Sequence, residues 1–225
     1  MTDPAAWERE AGTLFSNARE PRALQQAVVT FHRRVDEMVD ASLRGHAVKI
    51  DCARGCSLCC HMPVYATPHE AFALAAWLRA NFDASRLASV VHRLRQNLER
   101  TRALGAEGRK HSNLACALLG EDGSCTAYEA RPAQCRRFHS TRLETCKASF
   151  SNPADDAIDA PMHPAVAHNV AVVMTLAQRA ARSAGLDAEP VDLNLGLPEA
   201  LENPKAWRRW RDGKKPFVLE QRAKG

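Results

Sequence analysis

The chain has 225 residues, 45% hydrophobic and 25% charged, which suits one globular domain, with or without an appendage, and excludes a disordered chain. Its formal charge of +5 is concentrated in residues 204–225, where eight Lys and Arg face Asp212 and Glu220 for a net of +6, so the remaining surface carries no general basic field. The opening MTDPAAWERE is polar and no stretch reaches the ~18 apolar residues of a membrane span, so a cytoplasmic protein without a membrane partner is expected, in which eight cysteines read as metal ligands or redox centres rather than disulfides.

In chain order, Pro21 to Arg44 carries Leu24, Val28, Phe31, Val35, Val39 and Leu43 at steps of three or four, one face of a helix, with Gly45 as its stop. The loop DCARGCSLCC follows. Thr67, Pro68 and Glu70 then form a capping-box signature at the head of a second helix. A third starts at Asp83, with Leu87, Val91, Leu94 and Leu98 on one side and Gly105 closing it. CALLGEDGSCTAY has turn chemistry at Asp122-Gly123, predicting a small hairpin that brings Cys116 near Cys125. YEARPAQCRRF places Pro132 at a short helix start and Cys135 in its first turn, and Cys146 lies on a helical pattern in STRLETCKASF. NPADDAIDAP reads as a connector. Val166, Val170, Val173 and Ala177 mark a fourth long helix from Pro164 to about Ala184, ended by Gly185. DAEPVDLNLGLPEALENP reads as a second connector with two short turns. The fold class is therefore mainly α: a small helical domain, residues 1–203, with a short hairpin and irregular cysteine-rich metal-binding loops, followed by a basic Trp/Arg-rich tail, 204–225.

Cysteine usage carries the chemistry. Cys52, Cys56, Cys59 and Cys60 form one group, and Cys116, Cys125, Cys135 and Cys146 the other. Zinc or an iron-sulfur cluster takes four soft ligands, and a C-x2-C turn such as Cys56 to Cys59 delivers two of them. Cys59 and Cys60 diverge in extended or helical backbone, so one of them serves a second centre, bridges, or stays a free thiol beside the metal. The helix start favours Cys135 as a thiolate. Arg131 and Arg136, with Arg137, supply positive charge to a thiolate site whose net charge with zinc is −2. Cys146 serves equally well as a ligand or as a small core residue. His61 and His139 stand where they could complete a mixed sulfur and nitrogen site. Tyr128, Glu129 and Arg131 read either as catalytic groups or as a helix-entry turn with Glu129 paired to a local arginine.

These residues resemble the bacterial cysteine-cluster family of zinc- or iron-chelating domains. The likeness covers 52–138 and rests on Cys52, Cys56, Cys59 and Cys60, then Cys116, Gly123 and Cys125, then Tyr128, Glu129, Arg131 and Pro132, then Cys135 and Arg136. The first spacer here is three residues, a departure from the family pattern. The resemblance implies a metal-binding protein that chelates zinc or an iron-sulfur cluster. One member type, the flagellin lysine N-methylase, adds an alternative: an S-adenosylmethionine-dependent enzyme with an iron-sulfur cluster and a protein substrate. Against that alternative, the chain has no βα barrel pattern and no Gly-rich strand-to-helix fingerprint, and no catalytic residue is assigned. A thiol oxidoreductase using Cys59 or Cys60 is a third reading. The tail KAWRRWRDGKKPF offers nucleic-acid binding by arginines and stacked tryptophans, but Trp207 and Trp210, three apart, are expected to dock on the domain while the arginines stay solvated.

Overall fold

The computed structural model describes residues 3–16, 20–53 and 55–218. Its long helices arise where apolar side chains recur every three or four positions. Helix α1 (Pro4–Ser16) buries Trp7, Ala11, Leu14 and Phe15. Helix α2 (Pro21–Arg44) buries Leu24, Val28, Phe31, Val35 and Val39 on one face and stops at Gly45, whose amide returns to the Ala41 carbonyl at 2.9 Å. The pair β1 (Tyr65–Ala66) and β2 (Val191–Asp192) is antiparallel, with Tyr65 opposite Asp192 and Ala66 opposite Val191.

Helix α3 (Pro68–Asn81) opens on the expected capping box. The Glu70 carboxylate accepts the Thr67 amide and the Thr67 hydroxyl, each at 2.9 Å, so a first-turn amide with no intrahelical partner is satisfied. Helix α4 (Ala84–Lys110) is interrupted at Gly105, φ +64°, where the glycine predicts an end. Helical turns nevertheless resume to Lys110, because Arg109 anchors them. Its guanidinium donates to the carbonyl oxygens of His61 and Ser112 at 3.3 and 3.1 Å and lies 3.3 Å from the Asp192 carboxylate.

Two short helices, α5 (Ala133–Arg137) and α6 (Leu143–Ser151), lie within the cysteine-rich part. Helix α7 (Pro164–Ser183) buries Val166, Val170, Val173 and Ala177 and packs against α1, α2 and α5.

The stretch read as a second connector is instead β2 and a helix, α8 (Leu193–Glu202), whose residues from Leu193 to Leu201 are all buried. It packs against α3 and α4. Gly196 and Pro198 read as breakers, but the glycine is there for space: a Cβ would meet Val191 at 2.9 Å and Phe217 at 3.2 Å. A helix buried on every side has no amphipathic stripe to betray it.

The basic tail begins inside the same core. Helix α9 (Pro204–Arg211) sets Trp210, fully buried, 5.5 Å from Phe72 and Trp207 5.3 Å from Phe72, ring centre to ring centre. The Trp210 indole N–H donates to the Asp187 carbonyl at 2.8 Å. Trp210 therefore presents no face on which a base could stack, and Arg209 is turned inward to Glu199 and the Pro216 carbonyl. Residues 219–225, the end of that tail, lie outside the described residues. Among the described residues, no helix is long and apolar enough to cross a membrane.

Candidate metal centre

The first cysteine group lies in the loop between α2 and β1. Cys59 and Cys60 share one 3-10 turn, Leu58–His61, in which successive side chains are rotated by ~120°. The second group is stitched to that turn through the backbone: the Cys116 amide donates to the Cys60 carbonyl at 2.8 Å and the Leu114 amide to the His61 carbonyl at 3.0 Å. The expected hairpin is reduced to a single bridge, Leu119 with Cys125, flanked by the bonds Thr126 N to Leu118 O and Gly120 N to Ser124 O, both 2.8 Å. That turn brings Cys125 back toward Cys116. At its tip Gly123 has φ +75°, and a Cβ there would stand 2.6 Å from the Gly55 carbonyl oxygen. The two cysteine loops cross at a pair of glycines, Gly55 itself lying at φ +86°.

Helix α5 brings Cys135 in. Its first amide, that of Ala133, donates to Glu70 Oε1 at 2.7 Å, so the capping residue of α3 also fixes the helix that carries a cysteine. Ser140 joins the last two sulfurs: its amide donates to Cys52 Sγ at 3.1 Å, and Cys146 Sγ donates to its hydroxyl at 3.0 Å. The same loop is closed by Asp51 N to Ser140 O, 2.9 Å, and Leu143 N to Asp51 Oδ2, 3.1 Å.

All eight cysteines are free thiols; Cys56 is exposed and the others are partly buried. Cys60, Cys116, Cys125 and Cys135 lie within electrostatic reach of one another. Cys52 feels Cys56 and Cys146, and Cys59 feels Cys60, Cys135 and Cys52. Burial pushes the Cys116 thiol up to about 12 and raises Cys52 and Cys125. Burial, followed by the neighbouring Cys116, Cys125 and Cys60, raises Cys135 well above its ordinary value. The expectation that a helix start holds Cys135 as a thiolate is thus corrected: α5 has only five residues, too few for a strong dipole, and burial outweighs it. The hydrogen bond between Cys59 and Cys60 raises the former and lowers the latter.

Arg131 and Arg136 are committed to Asp36 of α2. Arg131 Nη2 lies 2.9 Å from Asp36 Oδ1, and Arg136 Nη1 pairs with Asp36 Oδ2. Arg136, fully buried, also donates to the carbonyl oxygens of Arg131 and Glu129 at 3.2 and 2.8 Å. Asp36, rather than Glu129, takes the arginines. Two guanidinium groups on one carboxylate leave one positive charge over, and both lower Cys125 while Arg131 lowers Cys135. Arg131 also lies 3.6 Å over the exposed Tyr128 ring. His61 donates from Nδ1 to the Ser57 carbonyl at 3.0 Å, with its ring edge-on to Phe150. Burial lowers the pKa of His139, and its amide-flanking carbonyl accepts the His163 amide at 2.7 Å.

Sequence reasoning missed Asp36, Glu70's second role, Gly55 and Ser140. Only Gly55, a glycine between clustered cysteines, carried a signal. Among the described residues, no three His, Cys, Asp or Glu side chains stand close enough to enclose an ion as they are. In kind, however, the donor set fits a soft cation. Grouped thiols that burial and mutual repulsion hold protonated are those a bound cation would stabilise as thiolates.

The thiols of separate loops are thus gathered over a helical scaffold. Residues 51–156 match the family described as "CxxCxxCC: Putative zinc- or iron-chelating domain". The match extends past residue 138 to take in Cys146. That description names zinc or iron and not S-adenosylmethionine. Comparison with curated proteins and with solved structures found no match.

Proposed function

We propose that the protein holds zinc, or iron in an iron-sulfur cluster, through Cys52, Cys56, Cys59, Cys60, Cys116, Cys125, Cys135 and Cys146, and that the bound metal fixes the loops between its helices. The observation that carries this reading is that the loops of Cys60, Cys116 and Cys125 are joined through the backbone, the bridge between Leu119 and Cys125 returning Cys125 toward Cys116, with Cys135 within electrostatic reach of all three. Support comes also from the backbone bond between Cys116 and Cys60 and from the family's description. Ligation draws the sulfurs inward by side-chain rotation and releases their protons, which makes affinity rise with pH. Arg131 and Arg136 offset the resulting negative charge, each partly neutralised by Asp36.

Anaerobic purification followed by elemental analysis and a visible spectrum tests the reading. Stoichiometric zinc in colourless protein marks a zinc site, and iron with acid-labile sulfide and visible absorption marks a cluster. Metal-free protein that takes up neither ion, with all eight thiols open to alkylation in the folded state, would refute it.

A further inference from the structure

Ser140 holds two cysteines from distant parts of the chain. Its amide donates to Cys52 Sγ at 3.1 Å, and the Cys146 thiol donates to its hydroxyl at 3.0 Å. The serine between them is fixed from several sides. Its carbonyl accepts the Asp51 amide at 2.9 Å, and it is the bridge partner of Met162, flanked by the bonds His163 N to His139 O, 2.7 Å, and Thr141 N to Pro161 O, 3.0 Å. Its hydroxyl also accepts the Arg142 amide and donates to the Arg142 carbonyl, both at 3.1 Å. The loop and α6, the helix that carries Cys146, are tied a further time by the Leu143 amide on Asp51 Oδ2 at 3.1 Å. Both cysteines are free thiols and only partly buried, so a small oxidant reaches them. Cys59 and Cys60 also hydrogen-bond one another, but they are neighbours in sequence. A disulfide between them closes a small ring through their own trans peptide, which the planarity of that bond resists. A bridge from Cys52 to Cys146 meets no such restraint, because it joins two separate segments that already lie side by side.

We propose that Cys52 and Cys146 are a redox pair, which hydrogen peroxide oxidises in the metal-free chain to an intramolecular disulfide that fastens the loop to α6. The pairing goes beyond the metal-binding reading and does not depend on it. In the first step the Cys52 sulfur, as thiolate, attacks a peroxide oxygen. An S–O bond forms, the O–O bond breaks, and hydroxide leaves to take up the proton the thiol had released, giving Cys52 sulfenic acid and water. The Cys146 sulfur then gives up its proton and attacks the sulfenic sulfur. The S–S bond forms as hydroxide departs and takes that proton, making a second water. Two thiols thereby lose two electrons to one peroxide. To meet, both side chains leave Ser140 and turn between staggered rotamers. Thiol–disulfide exchange with a small thiol reverses the bridge and returns the two sulfurs to the serine.

The test takes the full chain, reduced and stripped of metal with a chelator, and adds one equivalent of hydrogen peroxide. Remaining thiols are alkylated, and the protein is denatured and cut with trypsin without reduction. Trypsin isolates each cysteine of the pair, as IDCAR and LETCK. One cross-linked peptide joining these two is expected, lighter than their sum by the two hydrogens lost, with the other six cysteines alkylated. C146S is expected to stop at a Cys52 sulfenic acid, trapped by dimedone, and C52S to form no bridge to Cys146. In the folded state the bridged chain should be cut at Lys49 several-fold more slowly than the reduced metal-free chain. A first disulfide between Cys59 and Cys60, a link between two chains, or alkylation of both Cys52 and Cys146 after the peroxide is consumed overturns the pairing. The peptide map uses the unmutated chain and so decides the matter even where a variant does not fold. Metal is absent throughout, so either result leaves the metal-binding reading standing.

Discussion

Gly123 shows on what scale the cysteine loops are registered. Its φ of +75° lies where a Cβ is strained, and the space a methyl would take is held by the Gly55 carbonyl oxygen at 2.6 Å. Backbone, not a flexible side chain, is in the way, so the loops cannot cross at this distance with any larger residue. Gly123→Ala is expected to destabilise the protein by about 1–2 kcal/mol from the left-handed conformation alone, and the separated loops should release metal faster. Gly185→Ala is the control: its φ is +73°, but a Cβ there would meet nothing within 4 Å. Denaturant midpoints should fall for both variants. The rate of metal loss should rise only for Gly123→Ala, and equal metal loss in the two would separate the crossing from the site.

The tie between elements runs through Glu70. Burial opposes its ionisation, yet the hydrogen bond from His32, with both neighbouring histidines and the Ala133 amide, holds it well below the usual carboxylate range. A carboxylate at the head of α3 thus binds α2 through His32 at 3.3 Å and the start of α5 through Ala133 at 2.7 Å. Glu70→Ala leaves these donors buried without an acceptor and is expected to cost about 3 kcal/mol, whereas Glu70→Gln keeps one acceptor oxygen and should lose less. Because α5 carries Cys135, metal release should quicken in the same order, Ala before Gln. Reduced stability with unchanged release would mean that α5 is placed by other contacts. The sequence made α3 legible through the Thr67–Glu70 box because capping is local, and it made α2, α4 and α7 legible because each is amphipathic. Helix α8 was hidden because it is buried all round and punctuated by Gly196 and Pro198. The cysteines were legible as candidates, since their spacing is local too. Which cysteines meet was left open, because it depends on Ser140 and on the Cys116–Cys60 pairing, contacts between segments that no spacing encodes.

Across the whole molecule, two kinds of stability meet. The helices share one continuous apolar core that runs from Trp7 in α1 to Phe217 beyond α9. Of the described residues in the loop from Gly45 to Val64, only Val64 joins that core, and the loop is held instead by isolated backbone bonds: Asp51 to Ser140, Cys60 to Cys116, His61 to Leu114 and Val64 to Leu193. Segments with few buried apolar contacts open locally without unfolding the rest, and a ligand that binds only the closed form shifts that opening by mass action. Metal bound at the cysteines would close the loop at Cys52, Cys56, Cys59 and Cys60, and its removal would leave the helical core intact. Brief trypsin treatment with and without chelator tests this, because Lys49 is exposed in that loop. Chelation is expected to speed cleavage at Lys49 by roughly tenfold or more, corresponding to about 1.4 kcal/mol of lost closure, while the far-UV circular dichroism stays unchanged. The helical signal should persist because α1, α2, α3, α7 and α8 bury their apolar faces against one another and not against the loop. Cleavage equally slow with and without metal would show that the backbone bonds suffice to hold the loop, and that the metal does something other than fasten it.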